Sequence, residues 1–244
     1  MFSDADAAAL YDLLNPWDPE QWPADRFFDE LLMAAGSVLD VGCGTGAMLH
    51  RARERGHGGR LVGLDPDPAA LARARRRTDV EWFKGAAADA AWDAEFELAL
   101  MVSHAFQCLV TDDDVRTSLA AIHEALCVGG RFAFETRHPQ ARVWEDWNLS
   151  HASDVIDAGG RALRVWNEVE SVTGDVVRFR GITAEPGGPL LRADRTSLRF
   201  LDVGTLDGFL AEAGFVVEAR YGDWDRGPLT RTSREIITIA RRAG

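Results

Sequence analysis

Residues 38–46, Val-Leu-Asp-Val-Gly-Cys-Gly-Thr-Gly, constrain the fold more than any other stretch of the chain. A short apolar run ends in an acid, and glycines follow at every second position. Apolar, β-branched residues suit a buried strand. Glycines directly after a strand let the backbone turn sharply and approach a ligand, because no Cβ stands in the way. The next residues, 47–55, have helical composition, so free N-terminal amides point at whatever the loop cradles. Asp65 completes the pattern. It ends the apolar run Arg60-Leu-Val-Gly-Leu-Asp65 about 20 residues after the glycines, where an acid can accept hydrogen bonds from both ribose hydroxyls. This is the nucleotide-binding corner of a doubly wound α/β domain.

The rest of the chain keeps the alternation for a while. Residues 1–35 read as helices broken at Asn15-Pro16-Trp17-Asp18-Pro19, with Phe27, Phe28, Leu31 and Leu32 at helical spacing. A helix is expected over 68–77, a strand over 80–84 and a nearly all-apolar central strand over 96–102. A helix with an acidic start follows over 112–126. Gly129 and Gly130 are expected to stop it before a fifth strand over 131–135. Such alternation implies a mostly parallel sheet with right-handed crossovers. From about Thr136 to Val203 period-two patterns replace it, over 161–172, 176–182 and 195–201, with turn chemistry at Gly174-Asp175 and Glu185-Pro-Gly-Gly-Pro189. This segment reads as an antiparallel β insertion. A last helix, capped by Gly214, leads into strands over 215–221 and 235–240. A hairpin there makes the last strand antiparallel.

Composition narrows the function. The chain has 244 residues, 46% of them apolar, and a formal net charge of −12. Such an acidic chain has no general attraction to phosphate backbones, which argues against nucleic acid as a partner. No apolar run reaches membrane-spanning length, and no basic-then-apolar leader opens the chain. Cys43, Cys108 and Cys127 form neither a zinc-ligand pattern nor a disulfide framework. No metal is expected, and free thiols fit a reducing, cytoplasmic setting.

Together Val38 to Gly46, Gly63-Leu-Asp-Pro66, Phe96 to Val102, Ala125-Leu-Cys-Val-Gly-Gly-Arg-Phe132 and Ala213-Gly-Phe215 resemble class I S-adenosylmethionine-dependent methyltransferases, over nearly the whole chain. The β insertion resembles that of small-molecule N-methyltransferases acting on amino sugars or glycine. Ser103-His-Ala-Phe-Gln107 and Phe134-Glu-Thr-Arg-His-Pro139 resemble a bacterial subgroup. The resemblance implies a seven-stranded Rossmann-like sheet and S-adenosylmethionine as methyl donor, leaving S-adenosylhomocysteine as product. It divides the chain into a cofactor domain, 1–136 with 204–244, and an acceptor cap, 137–203. By the same resemblance Asp40 orients the loop and the methionine amino group. Gly42, Gly44 and Gly46 admit the cofactor, and Cys43 sits in their loop. Asp65 holds the ribose, with Pro66 beside the adenine. Tyr11 approaches the methionine carboxylate, and Ser103 and His104 line the methionine tail. Relatives often carry Gly-Asp-Ala after the third strand, whereas this chain has Gly85-Ala-Ala-Ala-Asp89. The adenine is then held by backbone at Ala86 and Ala87, or by Asp89 from a shifted loop.

Methyl transfer from a sulfonium is an in-line displacement, so positioning supplies much of the acceleration and a base only removes the acceptor's proton. His104, just past a central strand at the carboxyl edge of the sheet, is one candidate base, and packing on the methionine tail without proton chemistry is the alternative. His138, after the fifth strand, is a weaker candidate, and Glu135 lies on the same edge. Trp17, Arg137 and Trp144 lie nearest the expected pocket mouth. Most insertion aromatics are expected to form that segment's own core or a dimer contact. The acceptor is a small molecule methylated on nitrogen or oxygen, and the protein a monomer or homodimer. Two other readings remain. Gly42-x-Gly44-x-x-Ala47 also satisfies a looser dinucleotide fingerprint, although Asp40, Gly46 and the hairpin ending oppose an NAD-dependent oxidoreductase. A non-catalytic cofactor-binding regulatory module is the other.

Overall fold

A computed structural model describes residues 2–244. Seven strands form the main sheet: β1 (Ser37–Val41), β2 (Arg60–Asp65), β3 (Glu81–Lys84), β4 (Phe96–Met101), β5 (Leu126–Arg137), β10 (Phe215–Tyr221) and β11 (Glu235–Arg242). Their order is β10-β11-β5-β4-β1-β2-β3, with β11 antiparallel to both its neighbours and the remaining pairs parallel. The direction of winding reverses between β1 and β4. Open α/β sheets bind ligands outside the carboxyl ends of the strands at such a point.

Alternate residues of each strand face opposite sides, and each side has its own core. Leu39, Val41, Phe132, Phe134 and Ile236 pack with Val115, Leu119 and Ile122 of α5 (Asp112–Ala125) and Leu206, Phe209 and Leu210 of α6 (Val203–Glu212). Val38, Leu98, Leu100, Ala133 and Ile237 pack with Phe27, Phe28 and Leu32 of α2 (Pro23–Ala34) and Met48, Leu49 and Ala52 of α3 (Ala47–Glu54). α1 (Asp4–Leu14) opens with a capping box between Ser3 and Asp6. α4 (Pro68–Ala74) is capped by Asp67 and is three residues shorter than its sequence suggests.

Two corrections concern the expected boundaries. α5 ends at Ala125, and the glycines after it lie within β5 rather than before it. Pairing with β4 begins at Phe96–Leu126 and resumes at Leu98–Arg131, so a bulge absorbs the residues between. Gly130 is needed there, because a Cβ would stand 2.8 Å from the Cys127 carbonyl oxygen. The second sheet is a four-stranded antiparallel meander: β6 (Ser153–Ile156), β7 (Ala162–Thr173), β8 (Val176–Ala184) and β9 (Leu190–Arg199). β6 was not foreseen, and β9 begins five residues before the expected strand. The reason is the 185–189 turn, which folds β9 straight back along β8, with Glu185 and Pro189 joined by a backbone hydrogen bond.

Trp82 on β3 was overlooked in the sequence and fixes the glycine corner. A Cβ at Gly63 would lie 2.5 Å from its ring and one at Gly46 2.4 Å. Gly46 also has φ +79°, a left-handed conformation that strains any larger residue. Replacing Gly46 by alanine is therefore expected to cost about 3 kcal/mol of stability, read as a lowered denaturation midpoint with unchanged slope.

Candidate functional site

The turn after β1 is tied to β2 from both sides. Gly42 and Cys43 donate backbone N–H bonds to the Leu64 carbonyl (2.8 and 3.1 Å), and Gly44 donates to Asp65 Oδ2 (2.7 Å). Asp65 Oδ1 accepts from Asp67 N (2.8 Å). The Asp65 carboxylate is thus held at the strand tip, and each oxygen keeps a lone pair for a hydroxyl donor. Gly44 faces open space, Gly42 lies against Ala105, and Gly46 makes room for Trp82. Cys43 is buried beside Trp82.

A cleft of about 50 Å³ runs along this loop, and Tyr11, Trp17, Asp40, Gly42, Cys43, Gly44 and Ser103 line it together with Asn15. Half of the cofactor residues foreseen from sequence meet in this cleft, and Gly46, Asp65, Pro66, Ala86, Ala87 and His104 are not among its walls. Trp17, expected at an acceptor mouth, closes this cleft instead. Asp40 lies at its base, 1% exposed, and its Oδ1 has no hydrogen-bond partner. Burial pushes its carboxyl up to about 8, and the nearby Asp65 adds to this. A buried acid without a donor fits an ammonium group arriving from outside the protein.

At the adenine end, Asp89 Oδ2 accepts the Ala86 N–H (2.8 Å), so this side chain caps its own turn. Ala86 is exposed, Ala87 is buried in the core beside Leu64, and Pro66 is exposed just after β2.

Ser103 and His104 have φ +56° and +62°, consecutive left-handed residues that are costly outside glycine. The strained turn lets the His104 backbone N–H reach Glu135 Oε1 (2.8 Å) and its Nε2 reach Glu235 Oε2 (3.0 Å). Glu235, at the start of β11, was missed, because only the register of the last strand brings it here. Glu135 is 2% exposed, its Oε2 has no partner, and burial pushes it up to about 7 against the lowering charge of His104. The Tyr11 hydroxyl is raised by burial, offset by a hydrogen bond to Ser103.

A second, larger cavity of about 700 Å³ opens beside this cluster, within the range of small-molecule sites. Its walls are α1 and one face of the second sheet, including Val165, Asn167, Gly181 and Thr183. Arg137, Trp147, Trp166, Arg234 and Glu235 complete it. Tyr11 and Asn15 line both this cavity and the glycine-loop cleft. Trp144, named from sequence, packs edge-on against Phe200 in the insertion's own core, and Trp147 takes the position at the wall. Trp147 also packs at a tilt against Phe179, so period-two patterning could not show that it reaches the cavity. His138 is not part of the wall. Its Nδ1 accepts the Gln140 N–H (3.1 Å) and its backbone N–H bonds to the Arg234 carbonyl, and burial holds its pKa low. It serves as a neutral cap for the turn that follows.

Residues 38–130 match a family model described as a methyltransferase domain. Over 152 residues the chain is 32% identical to the 2-phytyl-1,4-naphtoquinone methyltransferase of Thermosynechococcus vestitus, an alignment covering 57% of this chain and 65% of that protein. It therefore spans just under two thirds of that relative. An S-adenosylmethionine-dependent methyltransferase from Clostridium acetobutylicum superposes with a TM-score of 0.77 at 14% identity, covering 98% of both chains. CalS10, an amino pentose methyltransferase from Micromonospora echinaspora solved with S-adenosylmethionine bound, superposes with a TM-score of 0.67 at 23% identity, over 92% of this chain and 93% of that one. Among the described residues no helix is long and apolar enough to cross a membrane.

Proposed function

We propose that the chain is an S-adenosylmethionine-dependent methyltransferase that methylates a nitrogen or oxygen of a small molecule held in the larger cavity; the methyltransferase-domain match over residues 38–130 and the shared fold support this reading. One observation carries this reading: Tyr11 and Asn15 belong to the walls of both cavities, so the two chambers meet at these residues. S-adenosylmethionine, when bound, supplies an activated methyl group. Residues 1–136 with 204–244 make the donor domain in this reading, and 137–203 cap the acceptor.

Each residue of the donor cleft has a task that its surroundings suit. Asp40 receives the methionine ammonium, Gly42, Cys43 and Gly44 present the loop backbone, and Asp65 takes the ribose hydroxyls. Ser103 and Tyr11 close the methionine end. Pro66, Ala86 and Ala87 border the adenine, with Asp89 already committed to its own turn.

His104 lines neither cavity but is bonded through Nε2 to Glu235 in the wall of the larger one; in this reading its Nδ1 takes the proton that the acceptor loses, and Glu235 orients the ring and balances the imidazolium that forms. The two walls exclude water from the displacement. Calorimetry should detect binding of S-adenosylhomocysteine to the purified protein and none of NADH. Labelled S-adenosylmethionine with panels of small amines and phenols should then reveal turnover. A protein that binds neither donor nor product refutes this function, and binding without turnover across a broad panel favours a regulatory module.

A further inference from the structure

We propose that the acceptor carries an oxyanion group, a carboxylate or a phosphate ester, and that the Arg137 guanidinium binds it. This rests on the reading of the larger cavity as the acceptor chamber. Arg137 ends β5 directly opposite Glu235 of β11. Side chains so placed lie about 5 Å apart at Cβ, close enough for an ion pair by default. No ion pair within 4.0 Å joins them: Glu235 Oε2 bonds His104 Nε2, and the Glu235 charge acts on the guanidinium from farther off.

Arg137 has no carboxylate within 4.0 Å among the described residues. Its Nη1 and its backbone N–H both donate to a neutral acceptor, Gln107 Oε1 (3.1 and 3.3 Å). Gln107 is itself 1% exposed and anchored by Nε2 to the Arg199 carbonyl (3.0 Å), so the guanidinium is held in one place by a rigid partner. Its charge lies 5.9 Å from the Trp147 ring centre, against the cavity wall.

The neighbouring arginines sharpen the contrast. Arg192, in the same wall, is neutralised by Asp4 and Asp194. Arg234, at the exposed rim, forms no ion pair among the described residues. Arg137 is thus a positioned guanidinium in the cavity wall of a chain with net charge −12, and the carboxylates acting on it, Glu235 and Glu135, do so from beyond ion-pair distance. Desolvating such a group is costly unless an anion answers it, and its planar fork matches a carboxylate or phosphate in bidentate fashion. The acceptor is thus bifunctional, with a nucleophilic nitrogen or oxygen toward His104 and Glu235 and an anion toward Arg137.

The test uses full-length protein saturated with S-adenosylhomocysteine and titrated with benzoate, phenyl phosphate and, as the neutral control, benzyl alcohol. Saturable binding of at least one anion is expected, with a shift of the Arg137 Nε–H resonance that benzyl alcohol does not produce. Arg137→Gln should weaken anion binding about tenfold or more while S-adenosylhomocysteine affinity stays within about twofold, and Arg137→Lys should lose less. Preference for phenyl phosphate or for benzoate distinguishes the two sources of the oxyanion. The proposal is overturned if neither anion saturates, or if the glutamine variant binds both as well as wild type does. If that variant does not fold, the wild-type Arg137 Nε–H resonance, assigned by its absence from the lysine variant, reads the same contact. Loss of S-adenosylhomocysteine binding in the wild type would instead sink the methyltransferase reading.

Discussion

Replacing Asp40 by asparagine is expected to weaken S-adenosylhomocysteine binding about a hundredfold, and wild-type affinity is expected to climb with pH until about 8. The buried carboxyl is held at about 8 in the free protein, so near neutrality it is mostly protonated. Receiving an ammonium group requires the ionised form. Binding therefore releases a proton, and affinity should rise about tenfold per pH unit below that value and then level off. Calorimetry in buffers of different ionisation enthalpy counts the proton directly. The stability of the free protein should move the opposite way. The folded pKa lies above the unfolded value of 3.8, so the group's contribution is fully present below that value and is lost as pH rises toward 8. The Asp40→Asn substitution should flatten both dependences. An affinity independent of pH in the wild type would show that Asp40 does not meet the ammonium.

His104→Gln is expected to lower kcat about a hundredfold once an acceptor is known, with S-adenosylhomocysteine affinity changed only a few-fold. Glu235→Gln should show a smaller loss, because glutamine can still bond the ring without balancing its charge. A glutamine variant with unchanged kcat would leave His104 only a packing role. The backbone at 103–104 matters independently. His104→Gly relieves the left-handed strain while removing the imidazole, so comparison of the two variants separates proton transfer from turn geometry.

The features visible in the sequence are those that local backbone chemistry dictates. The glycine loop, the acid ending β2 and the nearly unbroken apolar run of β4 each have a reason to be where they are that involves only near neighbours. They also named six residues that line the glycine-loop cleft, Tyr11, Asp40, Gly42, Cys43, Gly44 and Ser103. The acceptor side was legible only in outline. Arg137 could be named because it follows the predicted fifth strand near the expected pocket mouth, but Trp147 and Trp144 are three residues apart in a segment without periodicity, and only the packing of Phe179 and Phe200 decides which one reaches the wall. Glu235 and Gln107 escaped notice because their roles arise from contacts across 131 and 30 residues of sequence. Trp82 was invisible as the reason for Gly46 and Gly63, since a glycine's neighbour in space leaves no mark on its neighbours in sequence.

Helix α1 belongs mechanically to both halves of the molecule. Leu10, together with Phe2 just ahead of the helix, is buried against Leu163 of the antiparallel sheet, whereas Asp12 is ion-paired with Arg73 on α4 beside the glycine corner. Tyr11 sits between these two attachments. A rigid rod fastened at both ends cannot yield at one without leaning on the other, so filling either chamber should alter the grip of its neighbour. Donor and acceptor would then sense each other's arrival before any methyl group moves, through a lever eleven residues long.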